Sequence, residues 1–320
     1  MIGLRWASAR LAGAVVTLLG VAVVVFLVLR VIPGDAISAS LGTESGSLTP
    51  LQRASLEHYY GLDKSLVVQF FSWLGQVLTG NLGVSLISGK SAASLIFGAL
   101  PVTIELAVLA ALFGTVAGVL LGMLAASAPG RLRDGTAQTV ALVGLALPEF
   151  VLGSVLVAAL AGWFGYFPDT GTFVQLTTSV SGNLSQMIYP ALVLAVGFAA
   201  NVMRTTRSAA VEVADADFVR TARGKGVSAS RIRSRHILRN ASVPIVTITG
   251  IQFGYLLGGT VVIEQIFALP GLGRLLFTSI QDRDYPLVQS SVLIIAAGFV
   301  LVNLVVDLLY LAIDPRTRAA

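Results

Sequence analysis

No cysteine occurs in the 320 residues, which excludes disulfides and thiolate-held metals. Two histidines, His58 and His236, are all that remain for imidazole chemistry. Charge is also scarce: 12% of positions carry it, about half the share of an ordinary soluble domain. What fills the chain instead is apolar, 55% of all residues, a balance that belongs in a bilayer. The net charge of +5 is informative through its placement along the chain, and no nucleic-acid role is read from it.

Six apolar stretches are long enough to be read as spans: Leu11–Val31, Leu100–Ala126, Ala137–Phe164, Ile188–Met203, Val243–Phe267 and Leu287–Ile313. The first exceeds the apolar core of a signal peptide and is read as a retained helix. The fourth is short and is expected to begin near Pro190, where a missing N–H is harmless in a first turn. The fold class expected is therefore an all-α integral membrane protein with six transmembrane helices.

With the N-terminus inside, fifteen basic residues fall on the cytoplasmic side: Arg5, Arg10, Arg131, Arg133, Arg204, Arg207, the seven between Asp217 and Asn240, Arg316 and Arg318. Arg53, Lys64, Lys90, Arg274 and Arg283 fall outside and Arg30 at a boundary, so the bias places both termini in the cytoplasm. The organisation follows: residues 1–99 hold the first span and a long extracytoplasmic segment, 100–313 a five-helix core with a cytoplasmic loop at 204–242, and 314–320 a cytoplasmic tail. Within the outer segment, "SLVVQFFSWLGQVL" with Phe70, Phe71 and Trp73 fits either a helix lying at the interface or a packed cap.

Glycines recur at every fourth position as Gly114, Gly118 and Gly122 in the second span and Gly250, Gly254 and Gly258 in the fifth. Such ridges let helix backbones approach closely, which argues for a compact bundle.

Signs of chemistry are few. "GVSLISGKS", Gly83–Ser91, imitates a phosphate-binding loop, yet five residues separate its glycines where four are required. Neither histidine has a nucleophile or ligand set around it, so no catalytic residue and no metal site is expected. Polar groups in or near spans are Glu105, Glu149, Gln252, Glu264, Asn303 and Asp307. Glu105 and Glu264 are placed near outer ends and Asp307 near an inner one, where hydration lowers the cost of a charge. Glu149, Gln252 and Asn303 are candidates for a polar pathway, with helix-to-helix hydrogen bonding an equal alternative. Asn303 and Asp307, four apart, share a helix face.

The basic stretch "DFVRTARGKGVSASRIRSRHILRN" is more than a topology signal. Phe218, Val219 and Ala222 alternate with Arg220 and Arg223 in the spacing of a short amphipathic helix, which Gly224 and Gly226 end as left-handed caps. Ser228 or Ser230 then caps a second helix, Arg231–Arg239, with Ile232 and Leu238 apolar, leading to Pro244. A helix, a turn and a helix make a rigid knob suited to docking, because a stiff element loses little entropy on binding.

In order and spacing this segment resembles the cytoplasmic coupling motif of ABC importer permeases, a loose Glu-Ala-Ala, three residues, then Gly. Ala222 and Gly226 keep the pattern while Arg220 and Thr221 replace its first members, and Gly224 stands where the peptide branch usually has alanine. "LRVIPGDA", "YGLDKSLVVQFFSWLGQVLTGNLGVSL", "LPVTIELA", "FALPGLGRLLFTSIQDRDYPLVQ" and "DLLYLAIDPRTR" extend the likeness over nearly the whole chain, which resembles the B-type permease subunit of dipeptide and oligopeptide importers. Ala36 replaces a common proline and Asn81 a common aspartate.

The resemblance implies a type I ABC importer permease fold in a bacterial inner (plasma) membrane. It implies that this chain forms half of a translocation pathway and docks an ATPase through Phe218, Val219, Arg220, Thr221, Ala222, Arg223, Gly224, Lys225, Gly226 and Arg231. The implied partners are a homologous C-type permease, two cytoplasmic ATPases that carry the ATP and magnesium, and an external solute-binding lipoprotein. Cargo is implied to be di- or oligopeptides, glutathione or nickel. A self-sufficient secondary transporter or channel is the alternative; six spans without a charged midplane cluster or a visible inverted repeat disfavour it.

Overall fold

The computed structural model describes residues 2–31, 49, 51–52, 55, 63–168 and 173–313. His58, Ala36, Arg53, Arg316 and Arg318 lie outside the described residues. The fold is all-helical: α1 Ile2–Val31, α2 Leu66–Leu78, α3 Ala92–Ala126, α4 Leu132–Ala146, α5 Glu149–Phe164, α6 Val180–Ala214, α7 Asp217–Gly224, α8 Ala229–Ile266, α9 Leu272–Gln281 and α10 Tyr285–Ile313. Among the described residues five helices are long and apolar enough to cross a membrane, and α4 with α5 makes a sixth when the pair counts as one span.

That third span is not straight as hydropathy predicts. It bends by 95° between α4 and α5. The cause is local: Leu147 precedes Pro148, whose ring pushes it out of the helical region to φ −83°, ψ 121°.

The fourth span also differs from its expected bounds. Ser179 caps α6, its side chain accepting from the Gly182 N–H at 3.2 Å, so the helix starts ten residues before Pro190 and continues to Ala214. Pro190 is thus buried inside the helix rather than in its first turn, a position that helices packed among neighbours tolerate.

The chain divides into two compact units. One comprises Gly3–Val102 and Pro270–Val300. Its core joins Leu82, Ala92, Ile96 and Ala99 to Leu272 and Leu287. The aromatic face of α2 packs on α1, with Phe70 and Trp73 at 5.3 and 5.9 Å from the Phe26 ring, while Phe71 stays exposed. The phosphate-loop imitation closes a tight antiparallel turn, Val84 bridging to Ser91, and is pinned when the Ser85 hydroxyl and Leu86 N–H donate to buried Asp284.

The other unit comprises Thr103–Leu269 and Leu301–Ala320, with α6 as its central element. The first glycine ridge does what the spacing requires. A Cβ on Gly114 would lie 2.6 Å from Phe198 Cδ1, on Gly118 2.7 Å from the Ala199 carbonyl, and on Gly122 2.6 Å from Thr206 Cβ. The second ridge is not one continuous contact: Gly250 presses on Val306 of α10 and Gly254 is buried, but Gly258 faces open space.

Candidate functional site

The basic stretch folds into a knob whose inner side is fixed and whose outer side is free. Val219 and Ala222 of α7 are buried with Ile232, Ile237 and Ala210, against Met123 and Ala126 of α3 and Val213 and Ala214 of α6. Phe218, Arg220, Thr221, Arg223, Gly224, Lys225 and Gly226 remain exposed. Phe218 is 46% exposed, so it belongs to the outer face rather than to the apolar side that its alternation with arginine predicts.

Gly226 ends α7 in the left-handed region at φ +75°. Its N–H donates to the Arg223 carbonyl at 2.9 Å and the Val227 N–H to the Ala222 carbonyl at 3.1 Å, the paired bonds of a Schellman cap. Val227 then packs against the cluster that holds Ala222, which completes the cap. Gly224 is the last helical residue and takes no left-handed conformation, so one glycine carries the turn, not two.

The second helix also departs from expectation. Neither Ser228 nor Ser230 caps it through a side chain. It does not stop at Arg239: α8 runs unbroken from Ala229 to Ile266, passing through a π-helical segment, Ile232–Ile237, with Pro244 inside it. The wider π turn brings Ile232 and Ile237, five apart, to the same buried cluster, whereas the sequence pattern names Ile232 and Leu238 as the apolar residues. The knob is therefore continuous with a membrane-length helix. Arg231 is exposed on its first turn.

A pair that hydropathy reading passes over holds the neighbouring helices. Asp134, in the first turn of α4, accepts from Arg207 of α6 at 2.5 Å (Nε to Oδ1) and 2.7 Å (Nη2 to Oδ2). The Gly130 N–H and the Gln138 amide donate to the same carboxylate at 2.8 and 2.9 Å. The residual signal in the sequence is a lone aspartate among the arginines of "RLRD".

Of the candidate pathway groups, Glu149 and Gln252 line one cavity of about 600 Å³ with Asn201, Gly197, Gly258 and Gly259. Asn303 does not line it. A second, more polar cavity of about 570 Å³ continues past Asn201 with Arg204, Arg207, Ser208, Gln138 and Glu212. Both follow one stripe of α6, residues 197, 201, 204, 205 and 208, at helical spacing. Glu105 and Glu264 serve as helix-to-helix acceptors instead. Thr103 donates to wholly buried Glu264 at 2.7 Å and Asn183 to Glu105 at 3.3 Å, so Glu264 is satisfied by protein rather than by the hydration its expected position implies.

Residues 118–319 match the family model described as binding-protein-dependent transport system inner membrane component, and residues 3–107 match the N-terminal model of the same transport systems. The chain is 38% identical over 316 residues to the glutathione transport system permease protein GsiC of Salmonella choleraesuis, covering 98% of this chain and 99% of that one. The protein of the same name from Escherichia coli K12 is 37% identical with the same coverage. Among solved structures, an inward-facing MetNI methionine ABC transporter superposes with a TM-score of 0.52 at 18% identity, covering 69% of this chain and 97% of that chain. An amino acid ABC transporter with histidines gives 0.50 at 19%, covering 70% and 94%. These last two bear on the fold alone.

Proposed function

The chain belongs to the family of binding-protein-dependent transport system inner membrane components, and from that premise we propose that it carries short peptides or glutathione and is driven through its α7 knob. It is a multi-pass inner-membrane permease subunit of an ABC importer, a transport subunit and not an enzyme. The peptide or glutathione cargo rests on the 38% identity to a glutathione permease and on the motifs it resembles.

The observation that carries the coupling reading is the two-sided knob. Its inner face is locked to α3 and α6, its chain runs directly into α8, and its outer face offers Phe218, Arg220 and Lys225. A part anchored to three long helices moves with them and transmits force that a flexible loop would absorb. Reversing a 99:1 equilibrium between inward- and outward-open states takes about 5.5 kcal/mol of differential binding, and a stiff link can deliver that bias.

In this reading the knob faces the cytoplasm, where a pair of ATPases docks. A homologous permease supplies the other half of the pathway, and an external solute-binding lipoprotein delivers cargo. ATP and magnesium belong to the ATPases. The exposed face offers an ATPase basic charge and one aromatic anchor, Phe218.

The test is reconstitution with those partners in liposomes. Uptake that requires ATP, the binding protein and an intact Phe218 is the expected result. Uptake by this chain alone, without ATP, would establish the self-sufficient transporter instead.

A further inference from the structure

Two cavities share Asn201, and Glu149 of α5 and Arg204 of α6 open into them. In the first, Glu149 lies beside Gly197, where a Cβ would stand 3.8 Å from its carboxylate oxygen. In the second, Arg204 opens into the cavity from the next exposed position of the stripe. No side chain among the described residues pairs with Glu149 or Arg204. Arg207, by contrast, is committed to Asp134. The half-buried carboxylate at the start of α5 and the exposed guanidinium on the cavity-facing stripe of α6 are left for water or a ligand to complete.

The spacing limits that ligand. From Gly197 to Arg204 is seven residues (204 − 197), a rise of about 10 Å along the helix. An extended peptide of three residues spans at most roughly 10 Å. Glu212, eight residues beyond Arg204 (212 − 204), stands about 12 Å further on and leaves the basic position uncompensated locally. Asn201, whose side-chain amide donates to the Gly197 carbonyl at 3.2 Å, lines both cavities and Gln252 lines the first, and each keeps donor and acceptor capacity for a peptide's amides.

We propose that Glu149 and Arg204 mark the two ends of a transient binding site for a free-ended peptide of two or three residues, the α-ammonium at Glu149 and the α-carboxylate at Arg204. Gly197 leaves room for the ammonium group, and Asn201 and Gln252 receive the backbone between. This inference rests on the reading of the chain as a peptide-carrying importer subunit. It adds which groups of the cargo this subunit holds.

The test uses the complete importer in liposomes, with trialanine as probe and the molecules moved per ATP hydrolysed as the readout. E149Q and R204Q are expected to lower that ratio at least about tenfold, the loss of a hydrogen bond to a charged group. E149D and R204K, which keep the charges, are expected to retain most of it. Gly197→Val keeps both charges and crowds the carboxylate, so it is expected to lower the ratio as well and stands in if a charge-removing variant does not assemble. A ratio equal to wild type in E149Q and R204Q overturns the proposal, as does an equal loss in E149D and R204K. If the wild-type complex hydrolyses ATP in response to its loaded binding protein yet moves no trialanine, the peptide class falls with the site while the importer assignment stands. If trialanine moves without ATP, the importer reading itself fails.

Discussion

Asp134 and Arg207 meet through two parallel hydrogen bonds that tie the start of α4 to α6. Two further donors, Gly130 and Gln138, complete the carboxylate, and Asp134 is 1% exposed. Removing one partner leaves the other without its complement. Asp134→Asn and Arg207→Gln should each lower the melting midpoint of the purified complex by several degrees, and the double variant should cost less than the sum. Strict additivity in that cycle would mean that the pair does not interact.

Gly226 sits where a residue with a Cβ is strained. Gly226→Val should cost about 1–2 kcal/mol locally, loosen the knob and abolish ATP-driven uptake while the protein still inserts. Gly226→Asn, a residue that visits the left-handed region readily, should keep much of the uptake. Equal activity in the Val and Asn variants would show that the turn's conformation is irrelevant to coupling.

At Gly118 and Gly122 the first glycine ridge meets backbone, which cannot yield as a side-chain tip can. Gly118→Leu, which drives a side chain toward the Ala199 carbonyl, should destabilise the bundle by about 1–3 kcal/mol and reduce the amount of folded protein recovered in detergent. Gly258→Ala, in open space, should be silent in the same assay.

Thr103 donates to the wholly buried carboxylate of Glu264. Thr103→Val keeps shape and removes the donor, so it should cost about 1–3 kcal/mol, while Thr103→Ser should be mild. Denaturation of the detergent-solubilised protein measures both.

The number of spans and the place of the knob are legible in composition because hydropathy and glycine spacing report them directly. Helix limits are not, since hydropathy marks where lipid ends while the helix goes on. Ser179 and the polar turn after it start α6 well before Ile188, and "RTTRSAAVEVA" carries it past Met203. The π segment escapes an α-periodic reading, so the burial of Ile237 beside Ile232, five residues apart, is not legible in it. The ridge of Gly250, Gly254 and Gly258 reads as one contact in sequence and splits in space, because the repeat fixes spacing and not the neighbour. Asp134 is invisible to hydropathy, since only its partner on a distant helix gives it a role.

The central claim is that the outer face of α7 is seated in an ATP-hydrolysing neighbour. Because the chain has no native cysteine, Phe218→Cys introduces a unique thiol, and cross-linking it in the assembled transporter reads the contact directly. The account predicts a covalent adduct with the ATPase subunit, and labelling by a membrane-impermeant maleimide only from the cytoplasmic side. A thiol at Phe218 that reacts from the external side, or that joins to no ATPase in a complex still transporting with ATP, would contradict it.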